Sequence, residues 1–334
     1  DKGCDGFRVD MASSLVKNDF DKSATIKLWQ TDLKKWFKEN YPDNVLIAEW
    51  FNPAQSIEAG FDIDFFCHDG TYNYSTLFFN INRRNGGATT CYFDLAGEGE
   101  LKTWYDLYKY QYDAVQGKGY VSMPTGNHDF TRLSAGARTS QDQLKVAMTF
   151  FLTMPGVPFI YYGDEIGLTH QSNVKPVEGA GARTGTRIPM LWDASKNAGF
   201  STADAEKLYI PQDPDPARRT VENQESDPSS LLNYVKNLLK IRKASKALGN
   251  DGEWKLISSL DQPYPMVYER SKGSEKCLIV VNPSAKKVSV DIPSYENSNP
   301  EILGGFYRKV NYKSGKTTDK ITIDPCSAVI YSIK

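Results

Sequence analysis

Over the first 248 residues, short apolar runs alternate with longer stretches whose apolar positions recur at helical spacing. Residues 6–9, 45–48, 61–67, 120–125 and 157–162 read as strands. Between them, residues 24–40 place Ile26, Leu28, Trp29, Leu33, Trp36 and Phe37 on one helical stripe, and residues 101–115 and 141–154 read as helices too. Strands alternating with helices predict βα units and a parallel sheet. Residues 164–227 are rich in Gly, Pro, Asn, Asp and Ser and are too long for an ordinary connection, which predicts a functional loop region. A last helix is expected over 229–246, with Asp227 or Ser229 as its cap and Pro228 in its first turn. From Gly249 the pattern changes to short, often alternating apolar runs that start near residues 254, 266, 277, 288, 321 and 328, without helices. These predict a small antiparallel β-sandwich. The expected division is therefore 1–248 and 249–334.

Composition changes this picture little. Apolar residues make up 40% and charged residues 24%, as in a globular domain, and the net charge of −1 argues against a nucleic-acid or polybasic membrane surface. No apolar run approaches the length of a membrane-spanning helix, and the first five residues lack the apolar core of a signal peptide. Six Trp, 19 Tyr and 16 Phe would suit a surface that stacks sugar rings, although large cores also use aromatics. The five cysteines are widely spaced and match no zinc pattern.

Three carboxylates then stand out, each closing a short strand. Asp10 ends Gly6-Phe7-Arg8-Val9-Asp10, Glu49 ends Val45-Leu46-Ile47-Ala48-Glu49, and Asp129 ends Pro124-Thr125-Gly126-Asn127-His128-Asp129. The C-terminal ends of parallel strands are where β/α barrels keep their chemistry. In this order and with these flanks, the motifs resemble the α-amylase family of glycoside hydrolases. Asp10 matches the family's fourth barrel strand, Glu49 the fifth, Asn127-His128-Asp129 the seventh, and residues 156–167 the eighth. Arg187-Ile-Pro-Met-Leu-Trp192 resembles the stretch that follows in many members. Residues 10–18 together with Ala48-Glu-Trp-Phe-Asn-Pro53 look closest to starch-degrading enzymes of the SusG-like group of gut bacteria.

The resemblance implies a (β/α)8 barrel of which this chain holds strands four to eight, followed by the β-sandwich, with a missing N-terminal portion of the same enzyme as partner. It implies retaining hydrolysis of α-1,4-glucosidic bonds in starch and maltooligosaccharides. In such a reaction one carboxylate attacks the anomeric carbon while the other gives and takes back a proton. Asp10 is then the nucleophile, Glu49 the acid/base, and Asp129 the ligand of the sugar hydroxyls. Arg8, two residues before Asp10, projects to the same face and would keep that carboxylate ionised. Trp50, His128 and Arg132 complete the expected substrate-binding set. Asn127 is read as bracing its loop, Glu165 as a loop brace, and His68 and His170 as surface or structural residues. Ser13 and Ser14 stand where many α-amylases carry Lys-His, so the acceptor side is open.

The family also implies calcium, held largely by segments outside this chain, and a secreted or cell-surface location. Within the chain no metal ligands are assigned. Neopullulanase, cyclodextrin hydrolase, 4-α-glucanotransferase and a non-catalytic glucan-binding protein remain alternatives to endo-hydrolysis.

Overall fold

The structure, a computed structural model, describes residues 3–67, 75–78, 90–136, 138–215, 217–295 and 298–334. His68 lies outside them. By internal contacts the chain divides into two compact units, one of Asp1–Ser75, Lys102–Pro124 and Pro155–Phe159, the other of Thr76–Leu101, Thr125–Met154 and Ile160–Lys334.

In the first unit, β1 (Gly6–Val9), β2 (Val45–Ala48), β3 (Ile63–Phe65) and β4 (Tyr120–Ser122) form a parallel sheet in that order. Helical segments connect them: α1 (Ser23–Leu28), a π-helical turn over Trp29–Lys34, α2 (Lys35–Asn40) and α3 (Pro53–Glu58). The first three make one continuous run, as the apolar stripe predicts. It is pinned by buried Trp29, whose Nε1 donates to the Ala12 carbonyl at 3.0 Å and whose ring meets Phe61 edge-on. Among the described residues β1 pairs with β2 alone, and its Phe7 is 48% exposed.

The expected fifth strand, 157–162, forms only an isolated parallel bridge between Phe159 and Pro124. Pro158 has no N–H to give a ladder. Here the Ser122 hydroxyl donates to the Val157 carbonyl instead, at 2.5 Å. Gly156, at φ +82°, sits so close to β4 that a Cβ there would lie 2.0 Å from the Val121 carbonyl oxygen.

After α4 (Ser75–Phe78) and α5 (Lys102–Val115), the second unit holds α6 (Gln141–Thr153), α7 (Val221–Glu225) and α8 (Leu231–Ala244). Ser140 and Gln143 close a capping box at the start of α6, and every residue from Gln143 to Thr153 is buried. A helix buried all round needs partners on every face. Its end is tied by Arg242, which donates to the Leu152 and Met154 carbonyls at 2.9 and 2.8 Å, and by Arg270, which donates to the Thr153 carbonyl. Cationic side chains on terminal carbonyls satisfy both the orphan acceptors and the helix dipole.

Beyond residue 252 lie β5 (Glu253–Leu256), β6 (Met266–Lys272), β7 (Glu275–Asn282), β8 (Val288–Pro293), β9 (Glu301–Phe306), β10 (Val310–Lys313), β11 (Thr318–Ile323) and β12 (Ser327–Ile333). They form two sheets, β5-β6-β7-β12-β9 and β10-β11-β8, with antiparallel pairing throughout. Val267, Leu278, Val280 and Val329 of the larger sheet share one core with Ile292, Ile321 and Ile323 of the smaller. The long loop region is also organised, around Ile166, Leu168, Ile188, Met190, Leu191 and Leu232.

Candidate active site

Two carboxylate clusters stand out, one in each unit: the first at the ends of β1 and β2, the second in a turn. In the first unit Arg8 projects from β1 and Asp10 follows that strand. Glu49 follows β2, its backbone N–H bonded to the Val9 carbonyl at 3.0 Å. The two arms of the Arg8 guanidinium divide between the acids: Nη1 meets Asp10 Oδ1 at 2.6 Å and Nη2 meets Glu49 Oε1 at 2.6 Å. Glu49 Oε2 also accepts from the Met11 N–H at 2.9 Å. The Glu49 side chain is 12% exposed and that of Asp10 72%. One acid is thus held in the wall and the other stands open to solvent.

Trp50 is placed differently from the expectation. Its indole is 7% exposed, packs edge-on toward Phe61 and donates to Gln55 Oε1 at 3.1 Å. A buried ring offers no stacking face, so Trp50 supports the loop and does not bind sugar. The same loop surrounds Asp64, a fully buried acid on β3. Its Oδ1 accepts from the N–H groups of Trp50, Phe51 and Phe65, and its Oδ2 from Asn52 N–H and the Ser56 hydroxyl, at 2.8–3.3 Å. Burial pushes the Asp64 carboxyl up to about 7 against the pull of these donors. Phe51 sits at φ +61°, a left-handed conformation that costs a non-glycine residue roughly 1–2 kcal/mol.

In the second unit, Asp129 gathers cations. Arg183 Nη1 reaches its Oδ1 at 2.6 Å, Arg187 Nη2 the same oxygen at 3.3 Å, and His128 Nε2 its Oδ2 at 3.3 Å. Desolvation pushes the Asp129 carboxyl up, but the Arg183 hydrogen bond and the charges of His128, Arg183 and Arg187 outweigh it and leave the group below the usual carboxylate range. Asn127 Oδ1 accepts from the N–H groups of Asp129 and Phe130 at 2.8 and 3.0 Å, which braces the turn. Arg183 is held in turn by the carbonyls of Ala180 and Gly179, and Arg187 by that of His128.

Arg132 also departs from the expectation. It is fully buried, paired with buried Asp164 at 3.1 Å and bonded to the Tyr162 carbonyl at 2.6 Å, with its guanidinium 4.5 and 4.6 Å from the Tyr161 and Tyr162 ring centres. It braces the loop from beneath and is closed to substrate. Arg183 and Arg187, in contrast, carry the contacts to Asp129 although neither was singled out for them. The visible signal was two arginines four residues apart in a Gly-rich loop; their reach back to Asp129 is a tertiary fact. Arg187 also lines a cavity of about 320 Å³ with Tyr162, Trp192, Phe200 and Tyr209. Trp192, Phe200 and Tyr209 are 48%, 50% and 64% exposed. Exposed rings beside hydrogen-bonding cations suit a polyhydroxylated ring with one apolar face.

The described residues bring no three His, Cys, Asp or Glu side chains together for a metal ion.

Residues 1–251 match the model of the alpha amylase catalytic domain. Alpha-amylase 3 of Dictyoglomus thermophilum is 28% identical over 341 residues, covering 100% of this chain and 59% of that protein. Oligo-1,6-glucosidase of Parageobacillus thermoglucosidasius is 28% identical over 253 residues, covering 66% and 44%. Trehalose synthase/amylase TreS of Mycobacterium tuberculosis is 31% identical over 183 residues, covering 52% and 29%. The chain thus spans well under two thirds of each of these relatives. Among solved structures, the alpha-amylase from H. orenii superposes with a TM-score of 0.73 at 20% identity, covering 99% of this chain and 61% of that one. The trehalulose synthase MutB from Pseudomonas mesoacidophila gives 0.76 at 19%, covering 99% and 66%. With three quarters of its length matched by the family model, the chain belongs to the α-amylase catalytic-domain family of glycoside hydrolases and their transferring relatives.

Proposed function

We propose that this chain carries the catalytic acids of a retaining enzyme that hydrolyses α-1,4-glucosidic bonds within starch and maltooligosaccharides, of the SusG-like kind. The carrying observation is the Arg8 fork, which draws Asp10 and Glu49 into one cluster. Asp10 attacks the anomeric carbon as Glu49 protonates the leaving oxygen. Glu49 then takes a proton from water, which releases the sugar from Asp10 with its configuration retained. Asp129, with His128 and the two arginines, binds hydroxyls of the sugar being cleaved. The exposed rings beside Arg187 support a carbohydrate partner.

A second reading, transfer to a sugar acceptor or cleavage of other α-linkages, is favoured by relatives named trehalose synthase and oligo-1,6-glucosidase. Incubation of the complete protein with amylose, pullulan and β-cyclodextrin, with products resolved by size and anomeric form, separates the two. Release of maltooligosaccharides in the α-configuration from amylose supports the first. Disproportionation without net reducing sugar favours the second, and no reaction with any α-glucan defeats both.

The parallel sheet forms part of a (β/α)8 barrel, the sheets after residue 248 are a β-sandwich domain, and a further segment of the same enzyme pairs with the open side of β1. That segment would bring the calcium site, and the working enzyme is secreted or held at the cell surface. The β1 edge that is unpaired among the described residues, its exposed Phe7, and a relative of which this chain covers 59% support this. A folded, fully active sample with a mass of 37.5 kDa would refute the missing segment.

A further inference from the structure

We propose that Asp64 is a positioning residue for the acid/base Glu49: it fixes the main chain just beyond Glu49 and so sets where that carboxyl can deliver its proton. The proposal rests on the reading of Glu49 as the acid/base and deepens it. Three consecutive N–H groups, those of Trp50, Phe51 and Asn52, point at one buried carboxylate. Such a concave run of donors is the arrangement that binds anions. The acceptor here belongs to the protein, and it comes from the strand next to β2, where Asp64 stands opposite Ala48 in the register.

The contacts fix Glu49 from two sides. Its carboxylate is held by Arg8 and the Met11 N–H, whereas its backbone leads directly into the loop wrapped on Asp64. The left-handed Phe51 is what turns three successive donors inward, and the carboxylate is what compensates that conformation. Ser56 extends the hold into α3, because its hydroxyl donates to Asp64 Oδ2 at 2.9 Å. A neutral residue of the same shape could keep one oxygen but would turn N–H groups toward N–H donors. The loop would then open, and Glu49 would move relative to the leaving oxygen while its own side-chain partners stayed in place.

Proton delivery can be read separately from folding and binding. In the complete protein, kcat/KM for the glycosylation step is compared on a maltooligosaccharide, whose leaving group needs a proton, and on α-glucosyl fluoride, whose leaving group needs little help. Asp64→Asn is expected to lose about 30-fold or more on the oligosaccharide and no more than about threefold on the fluoride, within the range that a general acid contributes. An equal loss on both substrates, or no loss on either, overturns the proposal. If Asp64→Asn does not fold, Ser56→Ala decides: removing one of the donors should give a split of about threefold in the same direction, and the absence of any split counts against the idea. Glu49→Gln separates the two layers. A leaving-group split in Glu49→Gln without one in the Asp64 variant defeats only the positioning role. No split in Glu49→Gln defeats the acid assignment itself, and the positioning role with it.

Discussion

The two carboxylate clusters have opposite charge balances. Around Arg8, two acids share one guanidinium; around Asp129, one acid faces two guanidiniums and a histidine. Two carboxylates and one guanidinium leave the first cluster one negative charge, which a single proton would balance, as the acid/base role proposed for Glu49 requires. The second cluster has cation to spare. Its carboxylate is locked as an anion, and the surplus N–H groups can turn to sugar hydroxyls. The two clusters also differ in how they are anchored. The first hangs on adjacent parallel strands, whereas the second is built from a turn and a loop more than 50 residues later in the chain.

Breaking the first cluster should have the largest effect. Asp10→Asn or Glu49→Gln is expected to cut kcat on amylose by about 10²–10⁴-fold or more, with unchanged thermal unfolding. Reducing-sugar assays on purified variants read this directly, and wild-type turnover in either variant would remove that residue from the mechanism. Arg8→Lys tests the fork itself. It keeps the charge, but a single ammonium cannot span both acids. A drop of about 100-fold in kcat is expected from misplacement alone, and activity within twofold of the parent would show that charge, not geometry, matters there.

In the second cluster the expected losses move from kcat toward KM. Arg183→Ala and Arg187→Ala each remove a charge-assisted contact, worth roughly tenfold to a hundredfold where it orients a bound group. Steady-state kinetics on maltooligosaccharides should place most of that loss in KM. A pure kcat effect would give these arginines a part in the chemical step.

The smallest effect concerns pH. The Asp129 carboxyl lies below its ordinary value in the folded protein. The unfolded chain therefore binds more protons in that window, and stability falls as pH falls. This share of stability is full above about pH 4 and is lost as pH drops through the depressed folded value. Thermal melts from pH 6 down to pH 2.5 should show a shallower acid-side decline in Asp129→Asn than in the parent. Superimposable slopes would mean that the cations around Asp129 do not hold its proton off.

Strands such as Val45–Ala48 were legible because four apolar residues ending on an acid leave few other readings. Direction was not. Trp50 and Arg132 stand beside the catalytic motifs in sequence, yet both turn into the protein, one against Phe61 and the other onto Asp164. Residue type and neighbourhood give no rotamer. Asp64 was hidden for a related reason: in Phe61-Asp-Ile-Asp-Phe65 the alternation suggests acids facing water, whereas this acid is fully buried because the loop after β2 supplies its donors. Strands β9 and β10 lacked a clear apolar signature. Gly304 and Gly305 interrupt the apolar run of β9, yet Gly305 lies within its pairing with β12 at φ +140°.

Helix α6 follows the Asp129 turn directly, and its last carbonyls are held by Arg242 and by Arg270, a residue of the C-terminal sheet. The change of pattern near residue 248 is therefore a poor place to cut. A gene shortened there would take the Tyr268 ring away from Phe150 and leave the Thr153 carbonyl without Arg270. For an engineer exchanging modules between family members, the Asp129 loop, α6 and the β-strands beyond it form a single cassette that should be moved whole.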